Sequence, residues 1–227
     1  NTWTPTEGKI SFPDTKGKTW QDYVAEHVLE VTCGEAPYLV SRYDTTTGEK
    51  LPLEMRIGLL DRKLRVVDEN AKDDGEWWLF TQVAYGATYG YEWQGDSLLL
   101  AREALLYTFV EHYRQRYNGE NPEPRMLQMI AYLVSWNIFQ MDGLKGVVPE
   151  TCANMYVRKV DLFGETEELV VCKGCKEGTL THHNGIYCEI VEWSTIQTGL
   201  AYHNGKFAGD IRKKKTLRFI DVISKKS

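Results

Sequence analysis

From Val28 to Asp44 the sequence reads Val-Leu-Glu-Val-Thr-Cys-Gly-Glu-Ala-Pro-Tyr-Leu-Val-Ser-Arg-Tyr-Asp, and no other stretch limits the possible folds as much. A short apolar run, Val28, Leu29 and Val31, stops at Thr32-Cys33-Gly34. Small residues follow, and an apolar stretch resumes at Tyr38, Leu39 and Val40. This is the pattern of a buried strand ending in a tight turn, with the next element starting on top of it. Gly34 has access to backbone conformations closed to other residues and lets a ligand approach the main chain closely. Glu30 and Glu35 flank the place where such a ligand, a nucleoside for instance, would sit.

A second stretch, Tyr89 to Leu106, has a related form. A short apolar run ends in an acid, Glu92. Asp96 is then expected to cap a helix whose buried side carries Leu98, Leu99, Ala101, Leu105 and Leu106. In doubly wound folds an acid at the end of the second strand hydrogen-bonds ribose hydroxyls, because one carboxylate accepts from both.

Leu29-Glu30-Val31-Thr32-Cys33-Gly34-Glu35-Ala36-Pro37-Tyr38-Leu39, followed by Tyr89-Gly90-Tyr91-Glu92 and Ala101-Arg102, resembles the cofactor motifs of adenine-specific DNA methyltransferases of the amino-methylating class. Cys-Gly-Glu-Ala-Pro-Tyr-Leu-Val-Ser-Arg-Tyr-Asp and Trp-Asn-Ile-Phe-Gln-Met-Asp-Gly-Leu are similar to segments of phage- and plasmid-borne restriction endonuclease M subunits, and the likeness runs over nearly the whole chain. It implies an α/β, Rossmann-like fold of the S-adenosylmethionine-dependent methyltransferase type. It also implies that Glu30, Thr32, Cys33, Gly34, Glu35 and Glu92 bind that cofactor, with Glu92 on the ribose. Glu192, after the apolar run Ile186–Val191, would by the same resemblance touch the adenine ring; the alternative is an exposed acid on an edge strand. Ala36 stands where the family pattern has glycine, which is expected to narrow the space beside the cofactor.

Composition sets the outer bounds. At 227 residues and 42% apolar, the chain can bury one good core, with or without a small appended module. No apolar run is long enough to span a bilayer and no signal peptide is evident. Five cysteines, an odd number, do not read as a disulfide framework, so a reducing cytoplasm is expected. A net charge of −5 argues against an all-round basic nucleic-acid binder. The chain opens on Asn1 rather than methionine, so a fragment or a processed product is expected.

In order, residues 1 to 19 read as an irregular lead-in, and Trp20 to His27 as a short helix. About 45 residues separate the two motif strands where one helix normally suffices, so an insertion is expected over about residues 45–88. Within it, Ile57 to Val67 reads equally as helix or strand, Asp68 to Asp74 as a polar loop, and Glu76 to Ala84 as an aromatic helix. Helices are expected over Ser97–Tyr117 and Arg125–Met141. Residues 1–150 are expected to form one α/β domain, which by the resemblance binds the cofactor, and 151–227 a β-rich appendage with short strands at Leu169–Val171, Ile186–Val191 and Leu217–Ile223.

The appendage carries Cys172-Lys-Gly-Cys175, then His182, His183 and Cys188. A Cys-x-x-Cys turn offers zinc two thiolates from one loop, and Cys172, Cys175, Cys188 and His182 would complete a closed tetrahedral set. The other reading is a hairpin with reduced thiols and surface histidines. Trp136 to Gly143 is expected to be core rather than a base-stacking groove. The basic run Arg212–Lys215, with Arg218, reads as a solvated turn.

One element of the family is missing. Adenine amino-methylation uses an Asn/Asp-Pro-Pro-Tyr/Phe loop that grips the flipped base, and this chain has none; Asn121-Pro122-Glu123-Pro124 lacks the adjacent prolines and the aromatic. No catalytic residue can be named. The expectation is the cofactor-binding portion of such an enzyme, partnered by DNA in the complete protein and by a second subunit or a missing C-terminal part. The alternative from another class is a non-catalytic interaction module, for example a counter-defence factor whose acidic body mimics DNA.

Overall fold

The computed structural model describes residues 19–161, 164–191, 193, 202–203, 206–207 and 215–224. Its centre is a parallel three-stranded sheet in the order β1-β2-β3: β1 is Val28–Val31, β2 Thr88–Glu92 and β3 Ile138–Gln140. Glu30 lies beside Gly90, and Gly90 beside Ile138, so the three carboxyl ends are level. The fold is mixed α/β, as expected.

Helix α1 is Trp20–Ala25. Between β1 and β2 the chain makes one 3-10 turn, Leu53–Met55, then α2, Leu59–Asn70, and α3, Asp74–Gly86. The segment that read equally as helix or strand is helical: Leu60, Leu64 and Val67 recur at helical spacing and are all buried. The expected loop from Asp68 begins too early, since Asp68 to Asn70 form the last turn of α2. Gly58 precedes this helix for a steric reason, as a Cβ there would lie 2.4 Å from the Leu39 carbonyl oxygen.

Between β2 and β3 run α4, Gly95–Arg116, and α5, Pro124–Asn137. The cap of α4 is Gln94, and Asp96 lies in its first turn rather than at its cap. The helix expected over Arg125–Met141 stops at Asn137. The buried Asn137 amide donates to the carbonyls of Tyr85, Gly86 and Thr88, and its oxygen accepts from Trp193 Nε1 at 2.7 Å. These bonds draw the chain onto the end of α3, and Ile138 to Gln140 then join the sheet as its third strand.

The core lies between the sheet and the helices. Leu60, Leu64, Trp77, Leu105, Phe109, Ile130, Leu133 and Ile138 are all at most 1% exposed, and Trp77 packs against Phe109, Tyr113 and Tyr117. At the rim, Glu111 receives Arg42, Lys50 and Arg56 and ties the 41–56 loop to α4.

The remainder is β-rich. β4, Met155–Asp161, and β5, Gly164–Val170, form an antiparallel hairpin. α6 is Lys173–Glu177; β6, Glu189–Val191, pairs with β9, Thr216–Arg218, and β7, Tyr202–His203, pairs with β8, Lys206–Phe207. The strand expected over Leu217–Ile223 ends at Arg218, and α7, Phe219–Ser224, takes over; Phe219 and Ile220 are both buried, which an alternating strand would not allow. Tyr91, Phe139, Met141, Cys188, Ile190 and Phe219 form a second apolar cluster that joins β6 and α7 to the sheet. No helix among the described residues is long and apolar enough to cross a membrane.

Candidate cofactor site and metal centre

At the end of β1 the backbone turns sharply. Thr32, Gly34 and Ala36 have φ of 51°, 54° and 62°, three left-handed residues of which one is glycine. The turn is closed by Ala36 N–H donating to the Cys33 carbonyl at 2.7 Å, and is tied to β2 by Cys33 N–H on the Tyr91 carbonyl at 2.8 Å. A Cβ at Gly34 would meet nothing within 4 Å, so open space lies before this residue. Ala36 is fully buried. It belongs to the main apolar cluster of the body.

Glu92, at the end of β2, faces this turn. Its carboxylate accepts from Gly34 N–H at 2.8 Å, Trp93 N–H at 2.7 Å and Gln94 N–H at 3.1 Å. Partial burial pushes its pKa up, but these three donors outweigh it and hold the carboxyl below its ordinary value. A carboxylate offers about four lone-pair directions, so one remains for an incoming hydroxyl.

The other sequence candidates divide into two groups. Glu30 turns inward, 8% exposed, and accepts from Leu39 N–H at 3.1 Å beneath the turn; burial pushes its pKa up to about 7. Cys33 is buried against Gly90, where a Cβ would come within 3.2 Å of its sulfur. Burial, with Glu30 and Glu92 nearby, pushes its thiol up to about 12, so it is an inert packing group. Thr32 and Glu35 are exposed. Glu35 borders a groove of about 530 Å³ with Arg42, Tyr43 and Tyr107. Glu192 lies outside the described residues.

The second cluster is better defined. Cys152, Cys172, Cys175 and His183 place one donor atom each within 4.8 Å of all the others. Cys152 Sγ is 3.5 Å from Cys172 Sγ and 3.6 Å from Cys175 Sγ. His183 Nδ1 is 3.5 Å from Cys152 Sγ and 3.6 Å from the other two sulfurs. A tetrahedron with metal–sulfur bonds of ~2.3 Å and a metal–nitrogen bond of ~2.0 Å has edges of about 3.8 and about 3.5 Å, close to these separations. All are far longer than the ~2.05 Å of a disulfide.

The surroundings prepare these donors. His183 Nε2 lies 2.7 Å from the Thr179 carbonyl, which only accepts, so Nε2 carries the proton and Nδ1 turns a bare lone pair to the sulfurs. Burial raises the Cys172 thiol, but backbone N–H groups of Cys175 and Asn184, with Cys152 and His183, overcome it and favour the thiolate. Gly174 is required, because a Cβ would lie 2.6 Å from the Thr181 carbonyl oxygen and 2.7 Å from His183 Nδ1.

Four residues can thus hold a metal, and two differ from the sequence expectation. His182 is exposed, with Nδ1 3.6 Å from Glu177, outside the cluster. Cys188 is buried in the second apolar cluster and donates to the Gln140 carbonyl at 3.3 Å. Their places are taken by His183 and Cys152. The signal for Cys152 was the hairpin: Met155 pairs with Val170, so the residues just outside that pair, Cys152 and Cys172, meet at its base.

Compared with family models, curated proteins and solved structures, the chain matches none.

Proposed function

We propose that the α/β body is the S-adenosylmethionine-binding portion of an adenine-specific DNA methyltransferase from a restriction–modification or phage system. One observation carries this reading: Glu92, at the carboxyl end of the middle strand, stands 2.8 Å from the Gly34 amide in the turn that ends the neighbouring parallel strand. Ligands of open parallel sheets bind outside the carboxyl ends of the strands. The open space before Gly34 and the free lone-pair direction on Glu92 fit a ribose hydroxyl there. S-adenosylmethionine, when bound, supplies an activated methyl group. The chain has no loop to grip a flipped adenine, so this portion binds the cofactor and another part performs the transfer.

Calorimetric titration with S-adenosylmethionine and S-adenosylhomocysteine is the test. The expected result is micromolar binding, weakened at least tenfold, about 1.4 kcal/mol, by Glu92→Ala. No binding up to millimolar ligand overturns the reading. The net charge of −5 and the missing loop would then favour a non-catalytic interaction module.

For the Cys₃His cluster we propose zinc. Three soft thiolates and one imidazole on tetrahedral edges suit this ion, and four protein donors leave no open position, as in a structural site. Purified protein is expected to carry one zinc per chain by elemental analysis. Less than a tenth of an equivalent, both as purified and after reconstitution, would end this assignment.

A further inference from the structure

Resting on the zinc reading, we propose that the metal centre also positions the carboxyl end of the parallel sheet, and that Tyr187 is the positioning residue joining the two. His183, a ligand, donates its backbone N–H to the Tyr187 hydroxyl oxygen at 2.8 Å. Tyr187 forms an antiparallel bridge with Val147, and Val147 a second bridge with Asp142. The next residue back, Met141, donates to the Glu92 carbonyl at 3.0 Å, and the Glu92 side chain receives the Gly34 amide. An unbroken series of named contacts therefore runs from the metal ligand to the turn where the cofactor is proposed to sit.

The strip from Met141 to Val147 is gripped on both sides. On the sheet side Gly143 lies so close to the Tyr91 ring that a Cβ would come within 2.7 Å. On the metal side Cys188 N–H donates to the Gly146 carbonyl at 3.0 Å and Val148 N–H to the Ile186 carbonyl at 2.8 Å. Leu144, at the tip, is 87% exposed and adds no burial. Arg218 lies over the Tyr187 ring at 5.3 Å and fixes its plane.

Cys188 is also held by the apolar cluster on the sheet, independently of any metal. The two anchors act at different places. The cluster fixes residue 188 onward, whereas the metal fixes residues 183 to 187. Coupling between the sites is reciprocal, so whatever metal binding does for the sheet end, a ligand at the sheet end does for metal affinity.

The test follows amide hydrogen exchange at Gly34, Met141 and Asp142, with Ile130 and Leu133 in α5 as internal references. Zinc content is measured first, so that a protein without zinc refutes the zinc assignment and the coupling that rests on it. In zinc-loaded protein, chelation is expected to speed exchange at the three sheet-end amides at least tenfold while the α5 amides hold. Tyr187→Phe, which keeps all four ligands and the ring, is expected to retain one zinc and still speed those amides several-fold. Where chelation also frees the α5 amides, the zinc-loaded Tyr187→Phe protein alone decides. Unchanged sheet-end exchange in that variant overturns the proposal while leaving the zinc site standing. Titration with S-adenosylmethionine gives a separate arm: weaker binding to the chelated form supports coupling, and equal binding to both forms refutes it. If neither form binds, it is the cofactor reading that fails, and the exchange data still decide the coupling.

Discussion

The α/β body and the Cys/His region are held together by different physics. In the body, Trp77, Phe109, Ile130 and Leu133 are at most 1% exposed and pack around one apolar centre. In the other region every residue of β5 is exposed, and Tyr156 and Val160 on β4 are 71% and 74% exposed. A two-stranded hairpin on which none of the described residues packs is marginal in water. What replaces a core at its base is four converging donor atoms. Burial accumulates over many side chains and tolerates the loss of any one gradually, whereas a coordination shell is complete or it is not. A short segment can therefore be fixed firmly, but only by naming its residues very specifically.

The largest expected effect follows from that contrast. Structural zinc contributes on the order of 10 kcal/mol of apparent binding free energy near neutral pH, most of it folding free energy. Chelation, or Cys172→Ser, is expected to unfold residues 147–187 while the body keeps its cooperative thermal transition. Near-ultraviolet circular dichroism with hydrogen exchange resolves the two; loss of both regions together would show that they are one unit. The converse experiment acts on the apolar side. Phe109→Ala is expected to cost the body about 3–5 kcal/mol, with the metal still bound at one equivalent below the melting transition. A loss under 1 kcal/mol would show that the core is more plastic than its burial implies.

How much of this was legible in the sequence follows the same division. β1, α3 and α4 were readable in place, because alternation and helical spacing are local, but not in burial: Leu29 and Val31 on β1 and Leu99 on α4 are exposed, and the buried residue of β1 is Glu30. β3 was hidden, because its three residues continue an apolar helical run and only Asn137, bonded to carbonyls some fifty residues away, ends the helix there. The metal set was half legible. Cys172 and Cys175 stand in one loop, but Cys152 arrives through the register of a hairpin, and the choice of His183 over its neighbour His182 is made by the Thr179 carbonyl. At the sheet end, the sequence placed Glu30 beside a ligand, and only the fold shows it turned beneath the turn.

Glu30 sharpens the comparison within the body itself, against Glu111. Burial raises Glu30 to about 7, whereas Arg42, Lys50 and Arg56 outweigh the burial of Glu111 and lower it to about 2. The signs are opposite. Between about pH 4.5 and 7 the unfolded chain ionises Glu30 while the folded chain keeps its proton, so this group makes stability fall as pH rises. Glu111 contributes fully above about pH 4.5, and its contribution is lost as pH falls toward 2. Glu30→Gln is expected to remove the first slope and to stabilise the protein at pH 7.5 by on the order of 2 kcal/mol, after allowance for solvent screening. Urea midpoints at pH 5 and 7.5 measure it; an unchanged difference between the two pH values would mean that Glu30 ionises without penalty in the fold.

The smallest expected effect concerns the turn itself. Ala36 holds a φ of 62° with its methyl fully buried. A left-handed alanine costs about 1–2 kcal/mol, which glycine would relieve. Glycine would also lose a buried methyl, about 0.8 kcal/mol, and bring about 0.5–1 kcal/mol of extra chain entropy to the unfolded state. These terms nearly cancel, so Ala36→Gly is expected to change stability by less than about 1 kcal/mol. Because Ala36 is part of the apolar core cluster, ligand affinity at the sheet end is expected to stay the same. If instead affinity for S-adenosylmethionine rises severalfold at constant stability, the turn is held in a strained form that resists the ligand. The alanine would then be a determinant of binding as well as of packing.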